Sequence, residues 1–217
     1  MRGNQIPNLN DLLDFDVNRR GEYEGIRQSF YDYGTYANAG QTQLQFFQVP
    51  RGQSSKTAAD TNMTSAGQLP QPQHFLVESI EIKFYPGVVP GIEAAAAPTE
   101  TEFSNDVYTV GKSGSLNFFI GSKTYLEEAP IDRFPPKTKQ NGYAAVHFTQ
   151  ASAADQQLTV DYAAMTGRPY YLDPPVLLVP NQNFSVSLNW PAVVALPSGV
   201  DGRIGVILDG ILYRQSQ

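Results

Sequence analysis

From Asn183 to Trp190 the chain alternates without a fault: Asn183, Ser185, Ser187 and Asn189 are polar, while Phe184, Val186, Leu188 and Trp190 are apolar. Successive side chains of an extended strand point to opposite faces. This period of two therefore predicts a half-buried β-strand with its apolar parity inward. Pro191 to Gly202 breaks the pattern, and Arg203 to Arg214 runs as a second extended segment. Two core strands in succession suit a closed β-sandwich or barrel. In the second of them Asp209-Gly210 interrupts an apolar run. A glycine inside a strand marks a bulge or the close approach of another backbone, and Asp209 takes the outward parity, placed to meet an Arg across a strand or subunit boundary.

The rest of the chain reads the same way. Gln41 to Val49 is a strand candidate, Arg51 to Gln73 is a long polar loop, and Phe75 to Tyr85 is the longest strand. In that strand Leu76, Ile80, Ile82 and Phe84 fall on one side and Glu81 and Lys83 on the other. Pro86 to Pro98 is a surface excursion, because Pro90, Gly91 and Pro98 hem in its alanine run. Val107 to Val110 reads as a short strand. Leu116, Phe118 and Ile120 mark another, turned at Gly121-Ser122 into Lys123 to Glu127. Ala144 to Phe148 and Leu158 to Tyr162 are shorter candidates, and Pro174-Pro175 puts Tyr170 to Val179 at a sheet edge or bend. With 18 Gly and 16 Pro the elements are short, and the long loops favour a jelly roll over an up-and-down barrel. The predicted fold is an all-β jelly-roll sandwich of about eight antiparallel strands, with residues 1–40 as an extended N-terminal arm and 41–217 as the jelly-roll domain.

Charged residues make up only 17% of the chain, against about 25% in an average soluble protein. A neutral, Tyr-, Asn-, Gln- and Ser-rich surface suits contact with other subunits, where charges are costly to desolvate. The net charge of −6 and the pI near 4.9 argue against nucleic-acid binding, which needs clustered Lys and Arg. The first 34 residues are themselves slightly acidic, with Asp11, Asp14, Asp16, Glu22, Glu24 and Asp32 against Arg2, Arg19, Arg20 and Arg27. The absence of cysteine excludes disulfides and thiolate chemistry. No apolar run reaches the length of a membrane span, and Met1–Asp16 lacks signal-peptide features, so synthesis in a cytoplasm is expected.

Catalytic patterns are incomplete. Gly111-Lys112-Ser113 resembles the end of a phosphate loop, but the glycine that such a loop needs is Asp106, so a tight turn is expected instead. His74 and His147 are isolated, which leaves a metal site unsupported. The acids Glu100, Glu102, Asp106, Glu127, Glu128 and Asp132 read as solvated loop charges. The sequons at Asn62 and Asn183 read as chance matches without a signal peptide. No catalytic residue, cofactor or metal is expected. The candidate subunit interface is the aromatic set Tyr23, Phe30, Tyr31, Tyr33 and Tyr36, since aromatic side chains in an irregular arm seek an apolar surface on the same subunit or a neighbour. The 51–73 and 87–102 loops are candidates for outer contacts.

Phe119-Ile120-Gly121-Ser122-Lys123-Thr124-Tyr125, the strand from Pro180 to Trp190 and the segment Arg203–Arg214 together resemble the single jelly-roll capsid (coat) proteins of tailless icosahedral bacteriophages, over roughly Gln41 to Arg214. The resemblance implies a structural virion protein that is not an enzyme, made in the host cytoplasm and located in the virion. It would self-assemble through its arm, loops and strand edges, with copies of itself and other virion proteins as partners and no small-molecule substrate. The acidic arm departs from the basic genome-binding arms of many coats, which implies contact with an internal membrane or another protein layer, or an accessory place outside. The alternative is a carbohydrate- or receptor-binding jelly-roll module of a spike or appendage, with Tyr143, Tyr170, Tyr171 and Trp190 as platform candidates, although the parity of Trp190 places it in the core.

Overall fold

The computed structural model describes residues 23–87, 100–137, 139–147, 157–165 and 167–215. In chain order the strands are β1 (Tyr23–Tyr36), β2 (Gln43–Phe46), β3 (His74–Tyr85), β4 (Ser115–Ile120), β5 (Lys123–Glu128), β6 (Lys139–His147), β7 (Gln157–Met165), β8 (Tyr170–Leu178), β9 (Phe184–Asn189) and β10 (Gly202–Gln215). A helix, α1, covers Glu100–Ser113, and one 3-10 turn covers Ile131–Arg133. One four-stranded sheet has the order β1-β10-β3-β8, the other β2-β9-β4-β5, and all pairs are antiparallel.

The pairing is nested. β1 lies on β10, β2 on β9, β3 on β8 and β4 on β5. A single antiparallel ribbon rolled up in this way, alternating between two facing sheets, is a jelly roll. The hairpin of β6 and β7 pairs only within itself among the described residues. The expected β4–β5 turn is present, with Gly121 at φ 60, a conformation that glycine takes without steric cost. β8, carrying Pro174 and Pro175, is an edge strand, where missing N–H donors do no harm.

The core lies between the sheets. Phe184, Val186, Leu188 and Trp190 are all buried there with Phe118, Leu116, Ile204, Val206 and Leu208. Trp190 meets Tyr36 edge-on at 5.1 Å, and its indole N–H donates to the Val110 carbonyl at 3.1 Å. The indole is thus a satisfied core group and offers no glycan platform.

Three expectations are corrected. Residues 23–36 are not part of an arm: they form β1, paired with β10 from Tyr23↔Gln215 to Tyr36↔Gly202, and residues 1–22 lie outside the described residues. Residues 107–110, read as a strand, belong to α1. Phe103, Val107 and Val110 recur at helical spacing, and Val110 is buried against the core. Gly111-Lys112-Ser113 is the last turn of that helix, not a turn between strands. A phosphate loop needs the opposite arrangement, a loop leading into a helix N-terminus.

A fourth difference is the side of β3 on which Leu76 falls, and a bulge causes it. Pairing of β3 with β10 shifts register where Asp209 faces Ser79 and Gly210 faces Val77. Beyond the bulge the parity of β3 inverts, so Phe75, Val77, Ile80 and Ile82 share the core while Leu76 packs outside with Ile211 and Tyr213. Gly210 is required there: a Cβ would stand 1.8 Å from the Leu76 carbonyl oxygen. The close backbone approach expected from Asp209-Gly210 is what the strand pair contains.

Candidate interaction surfaces

The aromatic set of β1 splits by parity. Phe30 and Tyr36 point inward and are buried, Tyr36 with its hydroxyl donating to Val194 O at 2.7 Å. Neither is available to a neighbour. Tyr23, Tyr31 and Tyr33 lie on the outer face of the first sheet and are half-buried by contacts within the chain. Tyr23 meets His74 edge-on, Tyr31 donates to Ala58 O at 2.6 Å, and the Arg203 guanidinium sits 4.4 Å over the Tyr33 ring. Burial, with the nearby Tyr85, pushes the Tyr33 hydroxyl far up. The 51–73 loop covers the free edge of β1: Tyr33 N donates to Asp60 O at 2.8 Å and Tyr31 N to the Asn62 side chain at 3.0 Å. Inside that junction Asp32 is fully buried, paired with Lys56 and accepting the Phe47 N–H at 2.5 Å. Burial still pushes its carboxyl above the ordinary value.

The outer face of the second sheet has a different character. Register places Gln43, Asn189 and Ser115 in one row, and Gln45, Ser187, Asn117 and Glu127 in the next. Ser185, Phe119 and Thr124 make a third row. Gln43 donates to Asn189 Oδ1 at 3.0 Å and Asn189 in turn to Ser187 Oγ at 3.0 Å. Across these rows the single charge is Glu127, on the edge strand β5. Beside it Tyr125 is 57% exposed. A face with amide and hydroxyl groups but almost no charge can be covered without desolvating ions.

On the outer face of the first sheet two carboxyl groups meet under the segment 134–137. Glu81 of β3 is only 3% exposed. Its Oε2 accepts the Lys137 backbone N–H at 2.9 Å, and Lys137 Nζ reaches Asp209 Oδ2 at 2.5 Å and Glu81 Oε1 at 3.9 Å. Ser29 donates to Asp209 from β1. The partner expected for Asp209 was an Arg; the structure supplies a Lys of the same chain. Burial, reinforced by the hydrogen bond and charge of Asp209, pushes Glu81 up to about 7. At Asp209 burial works upward but is outweighed by hydrogen bonds from Glu81, Lys137 and Ser29, so its carboxyl stays below its ordinary value. The proton of the pair therefore resides on Glu81, which donates to Asp209.

The remaining candidates are dispersed. His74 is buried with Nδ1 3.1 Å from Pro72 O, and burial holds it below its ordinary value. Among the described residues no three His, Cys, Asp or Glu side chains come together as a metal site. Glu128 pairs with Arg133. Asp106, read as a solvated loop charge, is instead fully buried in α1 and accepts Ser198 N–H at 3.0 Å. Tyr170 packs on Phe134 at 4.7 Å, and Tyr171 is 51% exposed. The side chains of Tyr143, His147, Glu100 and Glu102 lie outside the described part, as does most of the 87–102 loop. A shallow cavity of about 220 Å³ between β1, β10 and the 62–73 segment is lined by Gln28, Thr64, Gln73 and Arg214 over Phe30 and Leu69.

The protein is, by fold, a jelly-roll β-sandwich with a neutral outer sheet face. No protein-family model matches the chain, and neither the curated proteins nor the solved structures give a significant match.

Proposed function

We propose that this protein is a structural virion subunit, a phage-type capsid or coat protein that assembles with copies of itself and with other virion proteins. The observation that carries the reading is the second sheet: a face built from Gln43, Gln45, Ser115, Asn117, Ser185, Ser187 and Asn189, bordered by the edge strand β5, whose outer edge is unpaired among the described residues. Uncharged polar rows allow a flat, partly wet subunit contact, and an unpaired strand edge offers backbone donors and acceptors to a neighbour. The nested jelly-roll topology and the sequence resemblance to coat proteins support the same reading. The aromatic set of β1 plays a smaller part than expected, since Phe30 and Tyr36 are spent on the core.

The test is light scattering on the purified chain beside Asn117→Arg, which puts a charge in the centre of the neutral face. Assembly of the parent and a folded, monomeric variant are expected. A parent that stays monomeric at high concentration, or a variant that assembles unchanged, contradicts the reading. A second reading, a glycan- or receptor-binding module, draws on the amide-lined cavity near Gln28 and Gln73 and on exposed Tyr171. A glycan array without hits retires it.

A further inference from the structure

The carboxyl pair sits where the chain leaves the sandwich for the β6–β7 hairpin. Phe134 O accepts Ile82 N–H at 2.9 Å, Glu81 accepts Lys137 N–H at 2.9 Å, and Lys137 O accepts Gly167 N–H at 3.1 Å as the chain returns to β8. Residues 134–137 thus form a strap over β3, and the hydrogen bonds that fix its far end run through Glu81 and Lys137. Ser79 Oγ, opposite Asp209 in register, is buried without a hydrogen-bond partner among the described residues, so the pair's charge is answered by the Lys137 ammonium and the Ser29 hydroxyl.

We propose that the Glu81–Asp209 pair is a proton-operated latch: with one proton between the two carboxyls the strap 134–137 is held on the first sheet, and loss of that proton loosens it. With the proton present, Glu81 donates to Asp209 and accepts from Lys137 N, and the single negative charge is answered by the Lys137 ammonium. Without it, two carboxylates face each other over that one ammonium and the hydrogen bond between them is lost. The other charged groups nearby are already engaged. On β1, Arg27 pairs with Glu78 of β3 at 2.8 Å, and Tyr33 feels the Glu81 charge but stays protonated. On β10, Arg203 pairs with Asp60 at 3.0 Å, and Arg168, before β8, lies over the Tyr171 ring. Lys83, next along the outer face of β3, makes no ion pair with either carboxyl among the described residues.

The sign follows from the proton count. Glu81 rises from an ordinary 4.5 to about 7, so the latched state holds the extra proton between those values. The strap is held most firmly near the lower value, weakens as pH rises through the window, and changes no further above it.

Amide exchange on the full chain tests this at three reporters, Ile82, Lys137 and Gly167, with intrinsic rates corrected for pH. Protection should fall by about tenfold or more between pH 5 and 8, while that of a β9 core amide such as Leu188 stays level. Glu81→Gln keeps both hydrogen bonds, the amide donating to Asp209 and its oxygen accepting from Lys137 N, and should hold the strap equally at both values. Lys137→Met keeps the backbone donor but removes the ammonium, and should move the midpoint to higher pH. Flat protection in the parent, a pH profile surviving in Glu81→Gln, an unmoved midpoint in Lys137→Met, or an equal loss at Leu188 would overturn the proposal.

Discussion

Single residues carry well-defined tasks in this sandwich. Gly210 admits the β3 backbone at the bulge, and any Cβ there meets the Leu76 carbonyl at 1.8 Å. Gly210→Ala should therefore cost about 2–4 kcal/mol, read as a lower denaturant midpoint in chemical unfolding. The Asp32–Lys56 pair pins the 51–73 loop to β1 from inside the fold. Lys56→Met leaves a buried carboxylate without its cation and should cost about 3–5 kcal/mol near neutral pH. Because burial already raises Asp32, the folded variant should favour the protonated acid, so its stability falls as pH rises above the ordinary carboxyl value. Adding Asp32→Asn should recover part of the loss. Equal stability of the single variant at pH 4 and 8 would count against this account.

Among the elements, β9 carries the plainest sequence signal, because a faultless period of two at Phe184–Asn189 leaves one packing solution. Truncating Phe118 on the neighbouring β4, fully buried and paired with Val186 of β9, to Ala should cost about 3–5 kcal/mol, while Ser185→Ala on the outer face should change unfolding little. β1 was harder to read. Its inward parity carries Gln28, Asp32 and Gly34 between Ile26, Phe30 and Tyr36, and the buried Asp32 makes sense only with Lys56 and Phe47 in place. α1 was masked by β-branched Val107, Thr109 and Val110, whose local preference yields to packing against Trp190. Leu76 shares the parity of Ile80 and Ile82 in the sequence but not their face in the fold, because a bulge, invisible in the sequence of β3 alone, reverses parity between Val77 and Ser79. The carboxyl site was illegible for a related reason: Lys137 lies 56 residues from Glu81 and 72 from Asp209, and only the rolled ribbon brings them together. Asp209-Gly210, by contrast, announced its bulge, since both causes lie in adjacent residues.

At the scale of the whole molecule, the nested pairing leaves two sheet faces pointing outward, and they differ. The face of β1, β10 and β3 is busy with ion pairs and the strap, while that of β2, β9 and β4 is neutral and carries no covering element among the described residues. The alternating strand that organises the core thus turns its uncharged parity to the face on which assembly is proposed, with Ser185 and Asn189 partly exposed there and Ser187 buried. Electron microscopy of the purified protein at assembly concentrations tests this most directly. Closed shells or symmetric rings from the parent chain, lost in Asn117→Arg while the variant stays folded, are the expected result; isolated monomers from the parent would contradict it.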